Sequence, residues 1–370
     1  MTDPNWASPP GDTIVRIMKN REIGASDLAD ALGMSAADFD MLLDGRRRLS
    51  QSEADVLAEN LGSTPRFWLA RDKSYVVEMA RLDQQGEPAS ETSWIDSMPT
   101  SSMRKLGWIP KESRSKNKLK QELLAFFGCD TLQEWGQRYS SGVGAVAFRT
   151  SVSLSSDGMA TLVWLRVGEQ LAANQIAEPF DRQAFKRILP SLKKLSAFKR
   201  PTSFLPRLID ACASVGVSVV TAKTPEGCRA SGASWFDAAG RPVLLLSFRH
   251  LSEDHFWFTF FHEAAHVILH GENHIDGEGG VAMGTDTAKQ EREANDFAQE
   301  TLFSTELREA LLAGSLRPKA IMESARAANV TAGIVVGQLE KLGIVPHGKM
   351  NFLKHRYRWG DSPYVPDLIG

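Results

Sequence analysis

The amino-acid sequence predicts an α+β protein. It has an all-helical N-terminal domain, a helical middle region, and a C-terminal domain built from a small antiparallel sheet and a long helix. Three observations predict it. Up to about residue 85, apolar residues recur at helical spacing between N-cap residues and glycine stops. Runs with strand character, VSVVTA, GASWF and PVLLLSF, are confined to 217–248. Shortly after them HEAAHVILHGENH, 262–274, places four of the chain's eight histidines where the pattern reads as helix. The expected domain boundaries are 1–85, 95–200, 201–310 and 311–370, the last a helical extension with a basic tail.

Composition sets the outer limits. Hydrophobic residues at 42% and charged residues at 24% are those of an ordinary globular chain, so a buried core is expected. A net charge of -2 neither predicts nor excludes nucleic-acid binding, which only local patches can indicate. The opening MTDPNWASPPGD has no basic start and no apolar core, so it does not read as a signal peptide. The apolar runs FWFTFF and ACASVGVSVV fall well short of the roughly 20 residues a membrane-spanning helix needs. Cys129, Cys212 and Cys228 are few, odd in number and scattered, which suits a reducing cytoplasm and no disulfide framework.

In the first segment, SDLADALG (26–33) is a helix stopped by Gly33. Ser35 then caps a second short helix, AADFDMLLDG. After GRRRLS comes the amphipathic SEADVLAENLG. Helix, glycine-containing turn and short helix form a helix-turn-helix outline, but a plain helical bundle gives the same pattern. If this domain meets DNA, Ser35 opens the recognition helix, and Arg46, Arg47 and Arg48 can grip phosphates without reading sequence. Asp38 and Asp40 in that helix oppose phosphate contact, so only weak binding is expected, or docking to a partner protein instead.

DQQGEPASETSW (83–94) reads as a linker, and 95–200 as mostly amphipathic helix. PTSFLPRLIDACASVG is a helix ending at Gly216. GASWF and PVLLLSF flank DAAGR, which reads as a hairpin turn. Val243 to Phe248 is either an exposed edge, to which an extended substrate adds as a strand, or an interior strand. Ser252 starts the long helix EDHFWFTFFHEAAHVILH, which stops at Gly271.

His262, Glu263 and His266 form HExxH. On a helix the two histidines share a face, with Cβ atoms about 5–6 Å apart, so both imidazoles reach one ion. Glu263 then lies close enough to act as general base on a metal-bound water without being a ligand. His270 continues the series, but roughly 12 Å of helix rise separates it from His262. It and His274 are therefore expected at the helix end and in the loop. A better third ligand is Glu291, on a second helix expected at about 287–302. Glu291, Ala294, Asn295 and Ala298 share one face of QEREANDFAQE, and the alanines permit close approach to the first helix. Asn295 is expected to hydrogen-bond a ligand, while Glu293, about 200° round from Glu291, should face away. Two histidines and a glutamate are a known set for catalytic zinc, Zn2+.

FHEAAHVILHG followed by EREANDFAQETLF resembles the ImmA/IrrE family of metallo-endopeptidases. SGASWF, PVLLLSFRH, DHFWFTFFHE and GIVVGQLEKLGI carry the likeness over most of the last 170 residues. The resemblance implies a zincin-like domain, with Glu291 as third ligand. Where this family often has Met-Pro after the FA run, this chain has Phe303-Ser304. The N-terminal segment is similar to the helix-turn-helix of HigA-type antitoxins. Chains joining two such parts imply a protease that cuts a repressor or antitoxin-like protein and so controls transcription. The alternative is an antitoxin-like regulator whose zinc domain senses or scaffolds without proteolysis.

Overall fold

The computed structural model describes residues 10–21, 23–43, 47–73, 75, 91–139, 156–175, 178–271, 274–277 and 285–369. Its contacts divide into two compact units, Met1–Thr92 and Ser93–Gly370.

The first unit is helical among its described residues. It contains α1 (Pro10–Arg21), α2 (Ala25–Ala31), α3 (Ala36–Leu43), α4 (Gln51–Leu61) and a helical run at 65–73. Ile14, Leu28, Phe39, Leu42, Leu57 and Trp68 are among the buried residues of its core. Ser35 caps α3 by accepting from the Asp38 amide at 3.1 Å. Ser50 and Glu53 make a reciprocal capping box on α4.

The chain continues with α5 (Glu91–Ser97), most of which belongs to the second unit, then α6 (Thr100–Lys105), α7 (Lys116–Phe127), α8 (Leu132–Tyr139), α9 (Ser156–Ala173) and α10 (Arg182–Leu192). Then come α11 (Pro201–Ala213), β1 (Ser218–Thr221), β2 (Ala230–Phe236), β3 (Pro242–Leu246) and α12 (Glu253–Ala265), which continues as a π-helical turn, His266–His270. After β4 (His274–Gly277) follow α13 (Thr285–Leu302), α14 (Thr305–Ala313), α15 (Pro318–Ala328), α16 (Ala332–Lys341) and the short pair β5 (Tyr357–Arg358) and β6 (Asp367–Leu368). No helix among the described residues is long and apolar enough to cross a membrane.

The main sheet has the order β1-β3-β2-β4. The hairpin forms as the turn residues require. The Asp237 carboxylate accepts from the amides of Ala239 and Arg241, both at 2.9 Å, and fixes the reversal. The sheet is nevertheless mixed, which corrects the antiparallel expectation: β1 runs parallel to β3, with Ser218 opposite Val243. The strand 243–248 is accordingly interior at β3, which removes the exposed-edge alternative for it. The physical reason is burial on both faces. Val243 and Leu245 join a core with Trp164 and Trp235, while Leu244 and Leu246 join Trp257, Phe260 and Phe261 on the other side. An unbroken apolar run such as PVLLL suits a strand covered on both faces. Trp164 of α9 donates to the Ala222 carbonyl at 2.9 Å, tying the first face to its helical cover.

Candidate metal centre

The second face of the sheet carries α12, apolar nearly all round, with Phe256, Trp257, Phe260, Phe261, Ala264 and Ala265 buried. Only a helix enclosed by the fold tolerates that composition. It therefore brings its polar residues inside as well: His262 is 2%, Glu263 0% and His266 3% exposed. α13 packs against α12, and Ala294 and Ala298 on the one and Ala264 and Ala265 on the other are all fully buried.

Three donor groups converge between the two helices. His262 Nε2 and His266 Nε2 lie 3.2 Å apart. Glu291 on α13 places one carboxylate oxygen 3.6 Å from His262 Nε2 and the other 3.4 Å from His266 Nε2. An ion held tetrahedrally by ligands at about 2.0–2.1 Å separates its donors by about 3.3–3.4 Å. The separations of the three donor groups are of that size, with a different Glu291 oxygen facing each histidine, and the two-imidazole, one-carboxylate chemistry suits zinc, so the residues fit such an ion. Glu291 is the solvent-facing member, its side chain 31% exposed against 3% for each histidine.

Glu263 is held from the sheet. The Ser234 hydroxyl on β2 donates to Glu263 Oε2 at 2.8 Å. Two residues earlier on the same face of β2, Gly232 has no side chain, and a Cβ there would meet Glu263 Oε1 at 2.7 Å and Thr259 Cγ2 at 2.6 Å. The sequence signal is weak: Gly232 and Ser234 stand at strand period, but every residue of ASGASWF before Trp235 is small.

The end of the helix is organised by a wider turn. The Gly271 amide donates to the His266 carbonyl at 2.9 Å, an i to i+5 bond, and Gly271 takes φ +69 to stop the helix. His270 lies outside the donor triangle. Its Nδ1 is 3.1 Å from His266 Nδ1, and its Nε2 is 3.0 Å from Glu293 Oε2. The hydrogen bond from His270 holds the Glu293 carboxyl below the usual carboxylate range. Glu293 thus contacts His270 and, at 3.6 Å, Lys289. Asn295 lies half-buried on α13, one turn after Glu291; the partner at His266 Nδ1 is His270. His274 is in β4, opposite Ser234.

In the first unit, the four candidate DNA contacts are placed as follows. Ser35 is engaged in the α3 cap and donates to Asp38 Oδ2 at 2.6 Å. Arg47 pairs with Glu53 at 2.7 Å, the hydrogen bond that chiefly raises its pKa, and Arg48 pairs with Asp72 at 2.6 Å. Arg46 lies outside the described residues.

Residues 212–339 match the family model described as the IrrE N-terminal-like domain, a peptidase family. The matched region runs from the end of α11 to α16 and includes the sheet, HExxH and Glu291. It supports the ImmA/IrrE family for that part of the chain and a metallopeptidase-type function. No curated protein and no solved structure matches the chain.

Proposed function

We propose that the chain is a zinc-dependent endopeptidase in which His262, His266 and Glu291 hold the ion and Glu263 is the general base. The observation that carries this reading is the convergence of the His262 and His266 Nε2 atoms with the two Glu291 carboxylate oxygens, at separations of 3.2, 3.4 and 3.6 Å, beside a buried glutamate. The ion supplies Lewis acidity when bound, acidifying water and polarising a carbonyl oxygen. Glu263 takes a proton from water and later delivers it to the leaving amine. Ser234 keeps the carboxylate in one orientation through these transfers. β4 is the outer strand beside β2 among the described residues, and an extended peptide pairing along its outer edge continues the sheet one strand beyond β2, which carries Ser234.

The substrate class we assign is a repressor or antitoxin-like protein, in keeping with the N-terminal segment's similarity to HigA-type antitoxins. The protein is incubated with zinc and with the proteins encoded by neighbouring genes, and fragments are sought. Glu263→Gln is expected to retain zinc and produce no fragments. Cleavage by the purified variant at the wild-type rate contradicts the mechanism.

A further inference from the structure

The hydrogen bonds behind His266 have a definite direction. Glu293 faces His270 Nε2 at 3.0 Å, and an ionised carboxylate only accepts, so His270 carries its proton on Nε2. With that one ring proton, His270 has a bare Nδ1. That nitrogen is 3.1 Å from His266 Nδ1, which must therefore carry the proton between them. With its proton on Nδ1, His266 presents a bare Nε2 to His262 and Glu291.

We infer that His270 and Glu293 are positioning residues for the metal centre, a carboxylate–imidazole relay that fixes the tautomer and ring orientation of His266. The inference rests on the zinc reading above. The relay has a structural basis in the π-helical turn, where His270 contacts His266 on the ring edge opposite the donor triangle. His270 is largely enclosed, its side chain 7% exposed, so water does not readily replace it. Glu293 is 42% exposed, so the relay's outer end meets solvent. Hydrogen bonding of this kind raises the basicity of a ligating imidazole, and its loss costs about 10–100-fold in metal affinity.

The test is zinc affinity of the full chain, by competition with a chromogenic chelator. His270→Leu is expected to bind zinc about 10–100-fold more weakly than wild type. Glu293→Ala should weaken it in the same direction but less, because water can serve the exposed end. His270→Gln, whose amide oxygen can accept from Nδ1–H, should recover part of the loss. Should His270→Leu fail to fold, Glu293→Ala at the surface and the wild type itself still decide the matter. Long-range 15N–1H spectra of the metal-free wild type should show His266 as the Nδ1–H tautomer and His270 as the Nε2–H tautomer. Unchanged affinity in His270→Leu, or His266 found as Nε2–H, overturns the relay. Unchanged affinity in Glu293→Ala alone overturns the carboxylate's part. A wild type that binds no zinc overturns the metal centre and the relay with it, an outcome distinct from zinc bound equally by wild type and variants.

Discussion

Ser234 reaches Glu263 with a single hydroxyl, and that bond sets where a fully buried carboxylate points. Gly232 clears the space in which it points. Replacing Ser234 by alanine leaves the proposed zinc ligands untouched but removes a hydrogen bond to a carboxylate, typically about 1.5–3 kcal/mol. If about 1.4 kcal/mol of this acts in the transition state, kcat falls about tenfold, with KM and zinc content near wild type. Steady-state kinetics on a cleaved substrate decide it: an unaltered kcat means that Ser234 does not orient the base. At this scale HExxH was legible because helix geometry alone puts its three residues together. Ser234 and His270 were not. Ser234 meets Glu263 across 29 residues of chain, and His270 acquires its role only from a wider final turn.

The element that fixes the site is α12, and its N-terminal end is anchored by charge. Glu253 in its first turn accepts from Thr331 Oγ1 at 2.8 Å and from the His355 amide at 2.9 Å, with His355 Nδ1 at 2.7 Å. Lys354 lies between Asp254 at 2.7 Å and Glu340 of α16 at 2.6 Å, all three buried. α16 comes this close through Gly333 and Gly337, where side chains would collide with Glu253 and Asp254. Burial alone would raise the Asp254 carboxyl, but hydrogen bonds from Lys354 and Ser252 outweigh it and its pKa is lowered. Glu340 is likewise lowered, with burial overcome by Lys354 and the Gly348 amide. Both groups bind protons more weakly folded than unfolded. Their contribution is therefore full above unfolded values of about 4 and is lost as pH falls through the lowered folded values. Lys354→Met leaves two buried carboxylates without their cation and should cost about 3–5 kcal/mol at neutral pH. Its melting temperature should also depend less on pH below about 4. Thermal melts across pH check this, and a variant as stable as wild type contradicts it. The hairpin was legible because DAAGR and its flanking strands are local. The β1–β3 pairing was not, because β2 intervenes in the chain and only packing on both faces selects it.

Across the whole molecule, the two contact units differ in how their charge is used. In the first, Arg47 and Arg48 are committed to Glu53 and Asp72, so contact with phosphates requires those pairs to open. In the second, charge is buried and directed inward around α12. The proposed donor set spans both ends of a chain excursion: His262 comes from α12, His266 from its π-helical continuation and Glu291 from α13, with β4 between them in the chain. The two helices pack together, and Ala264, Ala265, Ala294 and Ala298 on them are all buried; Glu291 shares its helix face with the last two by spacing alone. The most direct measurement is therefore zinc content of the full-length protein and of Glu291→Ala after dialysis against a weak chelator. The account predicts about one zinc per chain in wild type and a large loss in Glu291→Ala, with the fold retained. Undiminished zinc in Glu291→Ala would contradict it.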